Sequence, residues 1–289
     1  MLRRLVILLL LLAGPARAAT LRVASWNLDW LTLRKPGDPG LPADVRPRGP
    51  ADFARLAAYA ARLHADVVGL QEVDGRAAAA RVFPPARYRI VLTRDAVTQL
   101  VGFALRRGLR FTRNPDLRAL APPHSWLRSG ADITLHLPGG VRLRLLSVHL
   151  KAGCAVSPLR SRRRACRILD RQVPPLLAWE RARAAHGTPF LILGDFNRRF
   201  DPRHGRPDGM WRRLAAAAPV ARAARGFASP CWGGAYFVDQ IVAGDAARKW
   251  LLPGSLRVLV YAERGRSWKR RLSSHCPVSV RLRPPAAKR

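Results

Sequence analysis

Acids and amides stand directly after apolar runs in this chain, where their side chains could bind a metal ion or a phosphate. Asn27 and Asp29 follow one such run, and Asp195 and Asn197 follow another. Because successive side chains of a strand point to opposite faces, both members of each pair should face the same side of a sheet. Strand ends are also where open α/β sheets usually place their sites. The two pairs therefore predict an acidic pocket suited to metal-assisted attack on a phosphate.

A carboxylate in a third motif completes the candidate metal site. Glu72 is the kind of ligand that Mg²⁺ prefers, with Asn27 and Asp29 as the other protein ligands. Asp195 would orient and deprotonate a water molecule, and Asn197 would hold the water or the phosphate through its amide. This division of roles predicts Mg²⁺ as the cofactor, with Mn²⁺ as an alternative.

Two histidines complete the candidate catalytic set. His275 could donate hydrogen bonds to phosphoryl oxygens, with Asp239 behind it to keep it oriented and charged. His149 could act as an acid on the leaving side. Each motif alone has an ordinary structural explanation, since a single His on a strand is usually a core residue and an Asp after Gly is often a cap. Their placement at strand ends, taken together, favours catalysis.

The composition describes a basic chain with enough apolar residues for a core. Of 289 residues, 48% are hydrophobic, which suits one large domain or two small ones. The chain carries 52 Lys and Arg against 18 Asp and Glu, a formal net charge of +34. Such a field attracts polyanions, including nucleic acid, phosphoinositides and anionic envelope polymers. The alternative is a basic, solvated surface without a specific partner, and no protein partner is evident.

The first 18 residues have the features of a secretory signal peptide. Arg3 and Arg4 precede an apolar run over residues 5–12, and Ala-Arg-Ala at residues 16–18 supplies a cleavage site. The run is too short for stable membrane insertion, although an uncleaved anchor is the alternative. We therefore expect an exported protein, either periplasmic or secreted.

No internal repeat or linker marks a second domain after this signal peptide. We expect one domain over residues 19–283 and a flexible tail over residues 284–289. An even number of cysteines, four in all, agrees with export because disulfides form in oxidising compartments. Four cysteines allow three pairings, of which we predict Cys154–Cys166 and Cys231–Cys276. Zinc binding is the alternative, but no Cys-x-x-Cys spacing is present.

Apolar spacing predicts strands that alternate with helices early in the chain and strands that pair later. An amphipathic helix is expected over residues 52–64, and a long helix over residues 158–185 should break at Pro174-Pro175. A short helix is expected over residues 207–217. The expected strands cover residues 21–27, 67–73, 88–92, 100–105, 133–137, 141–148, 190–193, 236–242, 258–261 and 278–282. This α+β mixture suits sheets packed face to face with helices outside.

Six motifs stand in a fixed order along the chain. They are Ser25-Trp26-Asn27-Leu28-Asp29, Gln71-Glu72-Val73, Ser147-Val148-His149-Leu150, Gly194-Asp195-Phe196-Asn197, Val238-Asp239-Gln240-Ile241 and Ser274-His275-Cys276-Pro277. The set resembles the endonuclease/exonuclease/phosphatase superfamily, especially deoxyribonuclease-like, exported bacterial members. That superfamily includes pancreatic-type deoxyribonucleases, abasic-site endonucleases, neutral sphingomyelinases and inositol polyphosphate phosphatases. The resemblance implies a four-layer α/β sandwich of two packed, mainly antiparallel sheets flanked by helices.

The resemblance also implies roles for individual residues. Asn27 and Glu72 would bind the metal, and Asp29 matches a ligand of the abasic-endonuclease branch. The catalytic residues would be Asp195, Asn197, Asp239, His275 and, as in the deoxyribonuclease branch, His149. The chain departs from the family at Ser274, where the family usually has Asp, and at Gln240, where an aromatic residue or His is common. The glutamate that the deoxyribonuclease branch places behind its first histidine is also absent, since that region offers Thr98-Gln99.

Basic residues near the motifs favour nucleic acid as the substrate. Arg198 and Arg199 directly follow the Gly-Asp-Phe-Asn motif and are candidate contacts to a substrate phosphate. The sequence thus predicts an exported, metal-dependent phosphodiesterase, a nuclease that hydrolyses DNA or RNA by in-line attack of a water activated by Asp195. One alternative is an enzyme that acts on sphingomyelin or inositol phosphates. Another is a nucleic-acid-binding protein without catalysis on the same scaffold.

Overall fold

The computed structural model describes residues 20–122, 125–201 and 208–286. Its strands are β1 Leu21–Leu31, β2 Val67–Val73, β3 Tyr88–Leu92, β4 Leu100–Arg106, β5 Arg110–Arg113, β6 Ala131–His136, β7 Arg142–His149, β8 Phe190–Asp195, β9 Val220–Arg222, β10 Ala228–Ser229, β11 Ala235–Tyr236, β12 Asp239–Gly244, β13 Arg257–Val258 and β14 Val278–Leu282. Its α-helices are α1 Pro50–Leu63, α2 Gly75–Val82, α3 Arg164–Ala185, α4 Gly209–Ala217, α5 Ala247–Trp250 and α6 Arg266–Arg271. Short 3-10 turns cover Arg118–Leu120, Pro138–Gly140 and Cys231–Gly233.

Two six-stranded sheets form the centre of the molecule. The strand order is β13-β14-β1-β2-β4-β3 in the first sheet and β5-β6-β7-β8-β12-β9 in the second. In both sheets one central pair is parallel, β1 with β2 and β7 with β8, and the other neighbours are antiparallel. These mixed, mainly antiparallel sheets with helices outside confirm the α+β sandwich expected from the sequence.

Apolar side chains on both faces of each sheet explain the four layers. Val23 and Phe103 of the first sheet share a buried cluster with Leu145 and Leu193 of the second. Gly69 allows the sheets to approach, because a Cβ there would lie 2.8 Å from the Leu193 side chain. Helices α1 and α2 cover the outer face of the first sheet, and α3 and α4 cover that of the second. Each helix buries one apolar stripe, as the predicted amphipathic spacing of α1 requires.

Helix α3 continues through both prolines, so the predicted break at Pro174-Pro175 is wrong. A proline inside a helix removes a hydrogen bond and costs about 3 kcal/mol or more. Against that cost, α3 buries Leu169, Val173 and Leu176 on the second sheet, and each apolar side chain of this size contributes about 1.5–3 kcal/mol. Packing therefore outweighs local propensity along this helix.

The cysteines are joined in the predicted pairs. Cys154 bonds to Cys166 with the Cα atoms 5.0 Å apart, and Cys231 bonds to Cys276 with the Cα atoms 5.7 Å apart. Within the described residues, no helix is long and apolar enough to cross a membrane. The predicted signal peptide over residues 1–18 lies outside the described residues, as do residues 287–289 of the predicted tail.

A carboxyl group is buried without a partner on the inner side of α3. Glu180 is fully buried, and neither of its carboxylate oxygens finds a hydrogen-bond partner among the described residues. Burial raises the pKa of Glu180 from 4.5 to about 8, although the charge of Arg181 opposes the rise. The folded protein therefore keeps a proton that the unfolded chain releases. The contribution of Glu180 to the free energy of unfolding is therefore largest below the pKa that this group has in the unfolded chain. It falls as the pH rises toward the pKa of the group in the folded protein.

We expect Glu180→Gln to remove that decline, because the amide is neutral at every pH. Between about pH 5 and pH 8, the unfolding free energy of the variant should gain on the wild type by up to about 1.4 kcal/mol per pH unit. Urea unfolding of both proteins at several pH values measures the difference. Two parallel stability curves would contradict a protonated Glu180 in the core.

Candidate active site

The predicted residues meet at one end of the two sheets. Ladder register places His149 opposite Asp195 across β7 and β8, and Asp239 opposite Asp195 across β8 and β12. Strand β1 brings Asn27 to the same end, since β1 packs beside β14 and His275 lies just before β14. Asp195 is therefore the central residue of the cluster, with partners from both sheets around it.

Three residues at the site have the left-handed conformation, two of them where the registers of β1 and β2 shift and one just after β8. Asp29, Glu72 and Asn197 have φ of 48°, 58° and 49°. Each such residue costs about 1–3 kcal/mol, and residues of this kind cluster at functional sites. The backbone N–H of Asp29 donates to Asn27 Oδ1 at 2.9 Å, and that of Asn197 donates to Asp195 Oδ1 at 2.7 Å. The two predicted pairs thus come together through tight turns rather than through regular strand alternation.

Gly194 permits the backbone path that delivers Asp195. Its φ is 142°, a value that side-chain-bearing residues rarely adopt. A Cβ at this position would also lie 2.0 Å from the carbonyl oxygen of Val148 on β7. The glycine of the Gly-Asp-Phe-Asn motif is therefore required by the close contact between β7 and β8.

Three side chains converge in a way that fits a divalent cation. Glu72, His149 and Asp195 each direct one ligand atom to a common region, and these atoms lie within 4.8 Å of one another. His149 Nε2 is 3.6 Å from Glu72 Oε1 and 3.6 Å from Asp195 Oδ2. Asn27 Nδ2 donates to the same two oxygens at 2.9 and 3.0 Å. Two carboxylates sharing one small space repel each other, and Mg²⁺ or Mn²⁺ would offset that repulsion.

Asp29 has a different place from the one its predicted role suggests. Its Oδ2 accepts a hydrogen bond from the backbone N–H of Ser274 at 3.1 Å. Within the part of the chain that the structure describes, Asp29 belongs to neither of the groups whose ligand atoms converge. Its carboxylate thus lies beside Ser274, the position at which the family usually has an aspartate. Metal binding by Asp29 stays a prediction.

His275 forms a second group with two carboxylates. Its Nδ1 lies 2.8 Å from Asp239 Oδ2, and its Nε2 lies 3.8 Å from Asp195 Oδ2. Burial opposes a charged imidazole, but Asp239, Asp195 and Glu72 outweigh burial and raise the pKa of His275 to about 10. Burial raises the pKa of Asp195 to about 7, although the charge of His275 lowers it. The site therefore holds an imidazolium beside a carboxyl group that titrates near neutrality.

His149 is in the opposite electrostatic situation. Burial lowers its pKa well below 6.5, and the charges of Arg128, His275 and Lys151 lower it further. Its Nδ1 is buried and finds no partner among the described residues. The lowered pKa disfavours a charged imidazole, because burial and the nearby cations outweigh the two carboxylates that lie 3.6 Å from Nε2. The role of His149 as an acid stays a prediction.

Three residues that sequence reasoning did not place in the site lie behind Glu72. Gln99 donates through Nε2 to Glu72 Oε2, and it accepts at Oε1 from the guanidinium of Arg128 at 2.6 Å. Trp30 also donates its backbone N–H to Glu72 Oε2, at 3.2 Å. Arg128 precedes β6 in a loop without a motif, so its sequence context carries no signal of this contact.

The loop that carries His275 is tied to its surroundings by short contacts. Ser273 Oγ donates to the carbonyl of Asn27 at 2.7 Å and accepts from the N–H of His275 at 3.0 Å. Tyr261 OH donates to the carbonyl of His275 at 2.8 Å, and Cys276 is bonded to Cys231. These contacts hold the imidazole in place before any substrate arrives.

The structure contradicts the predicted phosphate contact of Arg198. Its guanidinium is buried, bonds to Asp208 through Nε at 2.9 Å, and donates to the carbonyl of Cys154 at 2.7 Å. A guanidinium with its donors already used inside the protein is not free for a ligand. Arg199 is half-buried, and it makes no ion pair within the described ranges. Its predicted contact to phosphate stays a prediction.

A groove of about 1610 Å³ opens from Glu72 and His149 across the surface. The end of α3 and the loops before β4 and β6 form its walls. Aromatic and basic side chains on these walls are Trp30, Arg34, Trp126, Arg128, Lys151, Arg164 and Arg171. Trp126 is 87% exposed, an unusual position for so large an apolar ring. The groove combines positive charge with flat aromatic surfaces, as sites for nucleic acid strands do.

The chain belongs to the endonuclease/exonuclease/phosphatase family, whose model matches residues 24–250. Among solved structures, truncated TDP2 from Caenorhabditis elegans is similar over 93% of this chain and 100% of that chain, with 18% identity and a TM-score of 0.61.

Two further solved structures share the fold at comparable similarity. The 3'-5' exonuclease NExo from Neisseria meningitidis is similar over 91% of this chain and 99% of its own, with 16% identity and a TM-score of 0.58. An AP endonuclease from Archaeoglobus fulgidus is similar over 90% and 98%, with 10% identity and a TM-score of 0.59. No curated protein sequence matches the chain.

We expect Asp239→Asn to lower the pKa of His275, because the variant removes the charge that contacts Nδ1. The loss of one adjacent carboxylate typically shifts a pKa by about 1–3 units. An NMR titration of the imidazole signals in metal-free protein measures the shift. Asp170→Asn is the matched control, since Asp170 pairs with Arg213 at the surface. An unchanged titration of His275 in Asp239→Asn would contradict the assigned pair.

Proposed function

We propose that this chain is a metal-dependent phosphodiesterase that hydrolyses nucleic acid. The observation that carries the proposal is the convergence of Glu72, His149, Asp195 and His275 at the inner end of a basic groove. Family membership supports hydrolysis of a phosphate ester. The positive walls of the groove support a polyanionic substrate, since phosphate contacts dominate the affinity of proteins for nucleic acid.

In the proposed reaction, Glu72 and Asn27 hold a Mg²⁺ or Mn²⁺ ion, with Asp29 as a supporting carboxylate. The ion would supply positive charge to the phosphate and lower the pKa of water. Asp195 orients the attacking water and takes its proton, and a pKa near neutrality suits a base of this kind. Attack would be in line with the bond to the leaving alkoxide. Asn197 keeps Asp195 in position, because its amide donates to Asp195 Oδ2 at 3.2 Å and to the carbonyl of Leu150 at 3.0 Å.

The two histidines have different parts in this proposal. His275 donates its Nε2–H to the phosphoryl oxygens, and Asp239 maintains its charge. His149 contributes a hydrogen bond from a neutral ring rather than a charge, because burial disfavours its protonated form. In this proposal, His275 therefore supplies the positively charged donor to the phosphate.

Related structures support nucleic acid as the substrate. TDP2 from D. rerio has been solved in complex with a single strand DNA product, and the 3' phosphatase NExo from Neisseria with a product DNA hairpin. We propose nucleic acid as the substrate of the present chain too, because Lys151, Arg164 and Arg171 line its groove and make no ion pairs among the described residues. We also propose that the mature protein is exported after loss of residues 1–18, which the two disulfides support.

We expect the mature, disulfide-bonded protein to nick supercoiled plasmid with Mg²⁺ or Mn²⁺ and not with EDTA. Asp195→Asn and His275→Ala should each reduce nicking by about 100-fold or more, the usual effect of losing a base or a charge-stabilising donor. Asp170→Asn serves as the control and should nick like the wild type. Full activity in Asp195→Asn would overturn the site. Hydrolysis of sphingomyelin or an inositol phosphate, without nicking, would overturn nucleic acid as the substrate.

We expect the groove to carry the electrostatic part of binding. A triple variant, Lys151→Gln, Arg164→Gln and Arg171→Gln, should weaken DNA binding and reduce the slope of log K against log salt by about 2 to 3. Fluorescence anisotropy of a labelled oligonucleotide at several salt concentrations, with the catalytic Asp195→Asn background, measures the slope.

The matched control removes the same charge from the opposite end of the sheets. It changes three exposed arginines to Gln, at Arg89, Arg107 and Arg110. If the two triple variants lose the same affinity and the same slope, the groove has no special part in binding. Binding would then reflect only the net charge of the surface.

A further inference from the structure

Arg128 is a cation buried beside the candidate metal site, and no carboxylate of the described residues is in direct contact with it. It is 6% exposed, and its guanidinium donates to Gln99 Oε1 at 2.6 Å and to the carbonyl of His149 at 3.5 Å. Its buried Nε finds no partner within the described residues. Both partners of Arg128 are neutral groups. A buried charge costs several kcal/mol unless opposite charge lies close by, so its compensation has to come through space.

The opposite charge belongs to Glu72, which Arg128 reaches through the side chain of Gln99. Gln99 links the guanidinium to Glu72, because the same amide accepts from Arg128 and donates to Glu72 Oε2. The carboxylates that favour the charge of Arg128 are Glu72, Asp195 and Asp95. Asp95 also fixes the adjacent backbone, since it accepts from the N–H and the Oγ of Ser129 at 2.9 and 2.7 Å. Arg128 therefore places a fixed positive charge near Glu72, the proposed metal-binding carboxylate.

Arg128 lowers the net negative charge of the site. With every group ionised, five carboxylates lie in or beside the site: Asp29, Glu72, Asp95, Asp195 and Asp239. Three cations face them, the buried Arg128 and Arg48 and the half-buried His275. Two net negative charges remain, which a single divalent ion would neutralise.

We propose that Arg128, acting through Gln99 on Glu72, is a positioning residue that restricts this site to one moderately bound divalent ion. The inference rests on the proposed function, because it presumes that Glu72 binds a metal. Without Arg128 the cluster would carry three net negative charges and would attract metal more strongly, or a second ion. The guanidinium thus supplies positive charge that a second metal ion would otherwise supply.

The test measures metal binding directly, in the full mature protein and without nucleic acid. Mn²⁺ is titrated into wild type and variants, and free Mn²⁺ is followed by electron paramagnetic resonance. We expect Arg128→Gln to bind Mn²⁺ about tenfold more tightly or to take up a second ion, since a nearby like charge is removed. Arg213→Gln removes the same charge at the surface, where Arg213 pairs with Asp170, and should stay within about twofold of wild type.

Whether the loss of Arg128 strengthens or weakens Mn²⁺ binding distinguishes this role from a merely structural one. If Arg128 only supports the fold around Glu72, its loss should weaken Mn²⁺ binding. Should Arg128→Gln fail to fold, Gln99→Glu makes the same change in net charge while keeping the guanidinium, and it too should bind Mn²⁺ more tightly. Weaker or unchanged binding in the folded variants would overturn the inference alone. Absence of Mn²⁺ binding by the wild type would overturn the metal-dependent function and the inference with it.

Discussion

The buried carboxylate of Asp195 is the group on which the rest of this site depends. It is 1% exposed, and a carboxylate at that depth needs donors and opposite charge around it. Asn27 and Asn197 donate to its oxygens, and the imidazolium of His275 lies 3.8 Å away. These partners come from the irregular part of β1, from the turn after β8 and from the loop before β14. One desolvated charge therefore holds together segments that are far apart in the chain.

Charge is distributed on two scales in this protein. Over the surface, arginines exceed acids so strongly that ion pairs such as Asp66 with Arg106 and Asp170 with Arg213 use few of them. Inside the site the balance is reversed, and buried cations are needed to keep the carboxylates ionised. Arg48 illustrates the second kind, since it is buried and donates to the carbonyls of Trp30 and Leu272. The positive surface attracts a polyanion, and the carboxylates of the site attract a cation beside it.

Some sequence predictions were wrong because neighbours in the fold decide what a residue does. Arg198 stands next to the Gly-Asp-Phe-Asn motif, but its side chain points inward to Asp208 and the carbonyl of Cys154. The prolines of α3 did not break the helix, since burial on the sheet outweighs their cost. Helix α2 was not predicted, because its buried residues are mostly alanines and give a weak apolar stripe.

The sequence by itself was enough to predict the sandwich, the strand-end motifs and the disulfide pairs. The motifs are encoded locally, in apolar runs that end at polar residues, whereas the pairing of the cysteines was one choice among three. Only the tertiary structure decided how Asp29 reaches Ser274, why His149 is neutral, and that Arg128 reaches Glu72 through Gln99. Burial and long-range contact set the charge state of these side chains. Neither can be read from the identity or the spacing of the residues, because both depend on segments that meet only in the folded chain.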